Sequence, residues 1–156
     1  MEVAGSSVIK VDAKGRVFLP RRYLETVDEE EGTRLVVTSY WLTPGLDGCL
    51  WLLDKNEWRR MQRRLRIMDI GSAELRRVQR FFFQHTERTK LDAQGRILLP
   101  ESHRRLAEIT DQVQVLGMVR RIEIWSPTVY GSYGAGAETN WTQLLEAVLS
   151  GEDEGM

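Results

Sequence analysis

Two aspartates, Asp12 and Asp92, stand in matching settings, each followed by a glycine at three residues and an arginine at four. One carboxylate from each half of a chain is how aspartic proteases build their dyad, which needs two carboxyl groups close together and free of cations. Here Arg16 and Arg96 follow so closely that both aspartates stay ionised, which argues against a dyad. The same residues read more simply as turn formers, with Gly15 and Gly95 closing each turn and the carboxylates ion-pairing with Arg16, Arg96 or their counterparts in the other half. Nucleophilic chemistry lacks parts as well. Cys49 opens the apolar run Cys49–Leu53, a core setting for a thiol. His85 and His103 have no metal-ligand spacing. The chain has no G-x-x-x-x-G-K-[ST], G-x-G-x-x-G or G-x-S-x-G motif. These features predict a protein that is not an enzyme, with no cofactor and no bound metal.

A set of cations remains. Lys10, Lys14 and Arg16 bracket the first turn, with Arg21 and Arg22 just beyond Pro20. Lys90 and Arg96 bracket the second, with Arg104 and Arg105 after Pro100 and neutral Gln94 in the place of Lys14. Two such turns related by a pseudo-twofold would put matching basic loops on one surface, a geometry suited to phosphates and groove edges. A solvated loop face gives the same pattern. The net charge of −1 does not decide between these readings, because the charge is unevenly distributed. Residues 1–131 hold all 22 Lys and Arg with 18 acids, and residues 132–156 hold five acids and no base. Eight arginines lie between Arg59 and Arg80, where a helix face or a subunit contact would use them.

The turns belong to a repeat. Val11-Asp12-Ala13-Lys14-Gly15-Arg16-Val17-Phe18-Leu19-Pro20 returns as Leu91-Asp92-Ala93-Gln94-Gly95-Arg96-Ile97-Leu98-Leu99-Pro100, with six of ten positions identical. Cys49–Leu53 is echoed by Arg121–Trp125. The chain is therefore a duplicated module of about 50 residues, too small in either half for an adequate core. Each copy predicts a strand (Ser6–Val11, Thr86–Leu91), the hairpin turn, a second strand (Arg16–Leu19, Arg96–Leu99) and a short helix after the proline (Tyr23-Leu24, His103–Ala107). Two β-rich runs follow, Arg34–Thr38 with Cys49–Leu53 and Val113–Val119 with Arg121–Trp125. Between the copies, Glu57–Met68 and Ser72–Gln84 carry apolar residues at helical spacing. Gly131–Gly136 reads as a loop and Glu138–Leu149 as an amphipathic helix capped near Thr139 or Asn140. The divisions are 1–54 for the first repeat, 55–84 for a helical connector, 85–126 for the second repeat and 127–156 for the loop, last helix and acidic tail. The longest apolar run is far short of the ~20 residues of a membrane span. Met1-Glu2-Val3 has an acid where a secretory signal carries base, which predicts a cytoplasmic protein without membrane contact.

Two copies of Asp-x-x-Gly-Arg-h-x-h-Pro (h, apolar) in one chain of this length resemble the MraZ family, built from AbrB-like swapped-hairpin modules. The likeness extends to Arg76-Arg77-Val78-Gln79-Arg80-Phe81-Phe82, Val115-Leu116-Gly117 and Arg121-Ile122-Glu123-Ile124-Trp125. It implies an α+β, mainly β fold, a pseudo-twofold double-split β-barrel from two swapped-hairpin repeats with flanking helices. It further implies a ring-like homo-oligomer, nucleoid-associated, that binds repeated sites on double-stranded DNA upstream of division and cell-wall genes and regulates their transcription. The DNA-approaching role falls on Arg16 and Arg96, then on Lys14 and Gln94. Three features depart from the family pattern: the opening Met1-Glu2-Val3-Ala4-Gly5, the neutral Gln94, and the Ser-Pro and glycine-rich stretch after Trp125. A different reading of the same cations is an antitoxin-like or scaffold module whose basic loops bind an acidic partner.

Overall fold

Neither repeat pairs its strands mainly with itself. The computed structural model describes residues 3–28, 30–66, 71–134 and 140–154. The first repeat supplies β1 (Val3–Lys10), β2 (Arg16–Phe18), β3 (Glu25–Val27), β4 (Arg34–Val36), β5 (Ser39–Pro44) and β6 (Leu50–Leu53). The second supplies β7 (Glu87–Lys90), β8 (Arg96–Leu98), β9 (Gln112–Val119) and β10 (Ile122–Trp125). Six strands form one antiparallel sheet in the order β1-β9-β10-β6-β5-β7, a sequence of repeat positions that reads the same from either edge. β1 of the first repeat lies along β9 of the second, and β7 of the second lies along β5 of the first. β10 and β6 meet at the centre, where Trp51 opposes Glu123. β2 and β8 form a separate two-stranded ribbon centred on Val17 opposite Ile97. A pseudo-twofold axis thus passes between equivalent residues in both sheets. The fold is α+β, mostly antiparallel β.

Each decapeptide makes its turn, but the two strands it joins do not form a hairpin ladder. Between β1 and β2 the pairing is a single bridge, Val11 to Val17. The turn instead redirects the chain from the large sheet into the ribbon. The partner of β6 also differs from the sequence reading. Arg34–Val36 pairs with Glu25–Val27, and the neighbour of β6 is Ser39–Pro44. Tyr40 and Leu42 are fully buried, so this aromatic stretch gains more from a central position than the exposed Arg34-Leu35-Val36 does.

Both faces of the central strands are covered, so every residue of β6 and β10 is buried, Glu123 among them. On one face the ribbon residues Val17, Leu19, Ile97 and Leu99 pack with Leu42, Leu50, Leu52, Val113, Val115, Ile122 and Ile124, all essentially inaccessible. Truncating one of these leucines or isoleucines to alanine costs about 2–5 kcal/mol. On the other face Cys49, Trp51, Leu53 and Trp125 meet Trp58 and Leu65 of α1 (Lys55–Arg66) and Phe82 of α2 (Ala73–Gln84). Trp41 stacks on Trp58 with ring centroids 4.5 Å apart. Glu123 is buried there as well, and accepts from the indole N–H groups of Trp51 at 3.2 Å and Trp125 at 3.1 Å. Those donors and Arg121 offset the desolvation of its carboxylate. Burial pushes the Cys49 thiol up to about 12, leaving no thiolate for chemistry at neutral pH.

The helices begin where capping chemistry allows. The Asp54 side chain accepts from the Glu57 N–H at 2.9 Å, and Ser72 caps α2 through the Leu75 N–H. Met68 lies outside the described residues. Pro20 and Pro100 start a 3₁₀ turn (Arg21–Tyr23) and α3 (Glu101–Leu106) respectively. The glycine-rich stretch after Trp125 is not a loop throughout: α4 spans Pro127–Tyr133. Ser126 accepts from the Val129 N–H and Pro127 occupies the first turn, and Tyr130 packs on Trp125. Together these outweigh the ~1 kcal/mol helix penalty of Gly131. Residues 135–139 lie outside the described residues, including Glu138 and Thr139. The last helix, α5, spans Trp141–Glu154, so residues read as an acidic tail are helical.

Candidate nucleic-acid interface

The two Asp-x-x-Gly-Arg turns are built alike, atom for atom. In the first, Asp12 Oδ1 accepts from the backbone N–H of Lys14 at 2.9 Å and of Arg16 at 2.8 Å. The Gly15 N–H reaches the Asp12 carbonyl at 3.0 Å. In the second, Asp92 Oδ1 accepts from Gln94 N–H and Arg96 N–H, both at 2.9 Å, and Gly95 N–H reaches the Asp92 carbonyl at 3.0 Å. The remaining carboxylate oxygen holds the arginine, Arg16 Nε at 2.8 Å from Asp12 and Arg96 Nε at 3.0 Å from Asp92. Glycine is required at the fourth turn position, with φ of +84° at Gly15 and +80° at Gly95. A Cβ on Gly15 would also stand 2.9 Å from the Leu99 carbonyl oxygen.

Each turn is also tied to the opposite repeat. Leu19 N–H donates to the Gly95 carbonyl at 3.0 Å, and Leu99 N–H to the Gly15 carbonyl at 2.9 Å. Arg96 Nη1 comes within 3.6 Å of Asp12 Oδ2, so the two turns lie side by side. Arg16 opposes Leu98 and Phe18 opposes Arg96 in the ribbon. With Val17, Leu19, Ile97 and Leu99 turned inward, the outward face carries Arg16, Phe18, Arg96 and Leu98. Phe18 is 51% exposed and Leu98 49%. Sequence reasoning counted these two only as apolar repeat positions. The period-two alternation in Arg-Val-Phe-Leu-Pro and Arg-Ile-Leu-Leu-Pro was the signal that sets them outward.

The aspartates are electrostatic clamps. The backbone N–H of Arg16, then its guanidinium, holds the Asp12 carboxyl below its ordinary value, and Arg96 and Gln94 do the same for Asp92. With each folded-state pKa below the unfolded value of about 3.9, this contribution is complete above that value and is lost as pH falls through the folded-state pKa. Asp12→Asn/Asp92→Asn keeps the turn acceptors and removes the charges. We expect its melting temperature to fall less steeply below about pH 4 than that of the parent. Superimposable acid profiles would refute the clamp.

The other candidate cations divide. Lys14 is exposed on the first turn and Gln94 on the second, where Gln94 Oε1 accepts from Arg96 Nη2 at 3.3 Å. Lys10 ends β1 and Lys90 ends β7 at the entrances to the turns. Arg104 of the second repeat lies against the first turn, where a Cβ on Gly15 would stand 3.0 Å from its guanidinium, and its Nε donates to the Leu99 carbonyl of its own repeat at 3.0 Å. Arg22 points elsewhere, donating to the Ser6 carbonyl, Ser7 Oγ and Tyr23 Oη against β1. Arg21 pairs with Glu25 and Arg105 with Glu101, both highly exposed. His103 is buried and its Nε2 contacts the His85 carbonyl at 2.8 Å, a packing role. Among the described residues no group of three or more His, Cys, Asp or Glu could hold a metal ion, and no helix is long and apolar enough to cross a membrane.

Fold and site together define a class: a duplicated α+β unit whose strands pair across the repeats and whose shared ribbon presents two aspartate-clamped arginines. Comparison with known proteins agrees. The family model described as "MraZ protein, putative antitoxin-like" matches residues 3–81 and again 82–149. Proteins named transcriptional regulator MraZ are similar over most of the chain. That of Desulforamulus reducens is 35% identical over 89% of this chain and 92% of its own. That of Heliobacterium modesticaldum is 34% identical over 89% and 91%, and that of Halothermothrix orenii 33% over 94% of each. The chain belongs to the MraZ family.

Proposed function

We propose that the protein is a transcription regulator that binds duplex DNA through the β2–β8 ribbon and its two turns. The observation that carries this reading is the outward face of the ribbon, where two oriented guanidinium groups alternate with Phe18 and Leu98. The major groove of B-DNA admits a two-stranded ribbon, arginine pairs with guanine there, and apolar side chains meet the thymine methyl. Each aspartate uses the Nε edge of its arginine, so the guanidinium is aimed before DNA arrives and less freedom is lost on binding. Lys14 and Arg104, with Lys10 and Lys90 behind, supply phosphate contacts. Arg21, Arg22 and Arg105 are peripheral.

In the same reading, the six-stranded sheet and the ribbon, joined by one core, are the two parts of the split barrel. The protein is a homo-oligomer, because a subunit of net charge −1 with few loop cations binds a single half-site weakly. Its sites are repeated and lie upstream of division and cell-wall genes, and it works at the nucleoid. A gel shift with DNA from upstream of its own gene, titrated with salt, tests this. Sequence-specific retardation is expected, and each arginine that touches phosphate adds about 0.9 to the salt slope. Equal affinity for any duplex, with preference for an acidic protein, would favour the alternative of an interaction module.

A further inference from the structure

One helix has an apolar face that no other described residue of its chain covers. Trp141, Leu144, Leu145 and Val148 of α5 recur at i, i+3, i+4 and i+7, the spacing of a single stripe. All four are exposed, Trp141 by 61% and Val148 by 65%, and every position from Trp141 to Gly151 is exposed. A stripe of this kind marks an interaction surface. The charge of α5 is also one-sided. It contains Glu146, Glu152, Asp153 and Glu154 and no Lys or Arg, with three acids in the C-terminal turn. That end of a helix carries the negative pole of its dipole and is stabilised by cations. α5 has to find its cations elsewhere.

A complementary groove lies between α1 and α2. Its wall from α1 is the stripe Arg59, Gln62, Arg63 and Arg66, again at i, i+3, i+4 and i+7, and Gln79 and Phe83 line it from α2. Phe83 is half-exposed at its base. α1 carries six cations against a single acid, Glu57. That acid pairs with Arg60, whereas Arg59, Arg63 and Arg66 have no acidic partner among the described residues. The groove is on the helical layer, on the far side of the sheet from the ribbon.

We propose that α5 of one copy docks into the α1–α2 groove of a neighbouring copy, its apolar stripe over Phe83 and its acidic end among Arg59, Arg63 and Arg66. This is the helix-in-groove mode, with charge setting the direction of the helix. It rests on the homo-oligomer reading above and names its seam. Because the donor helix and the acceptor groove are different surfaces, the contact closes a dimer where two copies exchange helices, and is head-to-tail, generating a ring or a filament, where they do not. DNA binding and assembly then occupy opposite layers of each subunit.

Size-exclusion with light scattering on the full chain tests the seam. Leu145→Asp/Val148→Asp, and separately Arg59→Glu/Arg63→Glu/Arg66→Glu, are expected to lower the mass severalfold, with circular dichroism melts like the parent. Adding Glu152→Arg/Asp153→Arg/Glu154→Arg to the arginine variant is expected to restore much of the mass. A thiol crosslink between copies bearing Val148→Cys and copies bearing Gln62→Cys provides a measurement that needs no disruptive change. Parent mass in both disrupted variants, or no such crosslink, would overturn the docking and leave the homo-oligomer reading standing. A parent that is itself a monomer would overturn both.

Discussion

Residues 1–54 expressed alone are expected to show no cooperative thermal transition by circular dichroism. In the full chain β1 finds its partner in β9, β2 in β8, β5 in β7 and β6 in β10, so the fragment loses one neighbour from each of these strands. Only the β5–β6 and β3–β4 pairs remain, and isolated two-stranded units are marginal in water. The fragment also exposes Val17, Leu19, Leu50 and Leu52, whose packing partners include Ile97, Leu99, Ile122 and Ile124. At about 1.5–3 kcal/mol for each buried Val or Leu left exposed, that loss is comparable to the 5–15 kcal/mol by which a domain is stable. A cooperative melt from the fragment would contradict the interlocked pairing.

The second large effect concerns the spacing of sites. A rigid oligomer presenting identical ribbons requires repeated sites in helical phase, about 10 base pairs apart or a multiple. Linked contacts of this kind raise affinity ~10²–10⁴-fold without any new contact. Inserting five base pairs between two repeats turns the second site to the other side of the duplex, so that gain is expected to disappear; inserting ten is expected to return it. The turns have little give, since each is fixed by its aspartate and by the opposite repeat. Equal binding to the five-base-pair insertion and the parent site would end the multivalent mechanism.

The turns were legible in the sequence because their chemistry is local. Asp12 and Asp92 reach N–H groups two and four residues away, and the glycines answer a backbone angle at their own position. Strand partners were not legible, since which strand lies beside β1 is decided by packing about a hundred residues away. The exchange of Arg34–Thr38 for Ser39–Pro44 beside β6 has the same origin. α4 was hidden by its glycines, although Ser126-Pro127 is a helix start in its own right. Among the cations, type and proximity could not separate Arg104, which lies against a turn of the other repeat, from Arg22, which is spent on β1.

If the clamped arginines read DNA rather than merely hold the turns, their removal lowers binding without lowering stability to match. Arg16→Ala/Arg96→Ala, measured by gel shift on the protein's upstream region beside a thermal melt of the same sample, tests this most directly. A folded protein is expected, its specific binding weakened by ~1–3 kcal/mol for each base-contacting arginine removed. A variant that melts early yet binds like the parent once folded would contradict it.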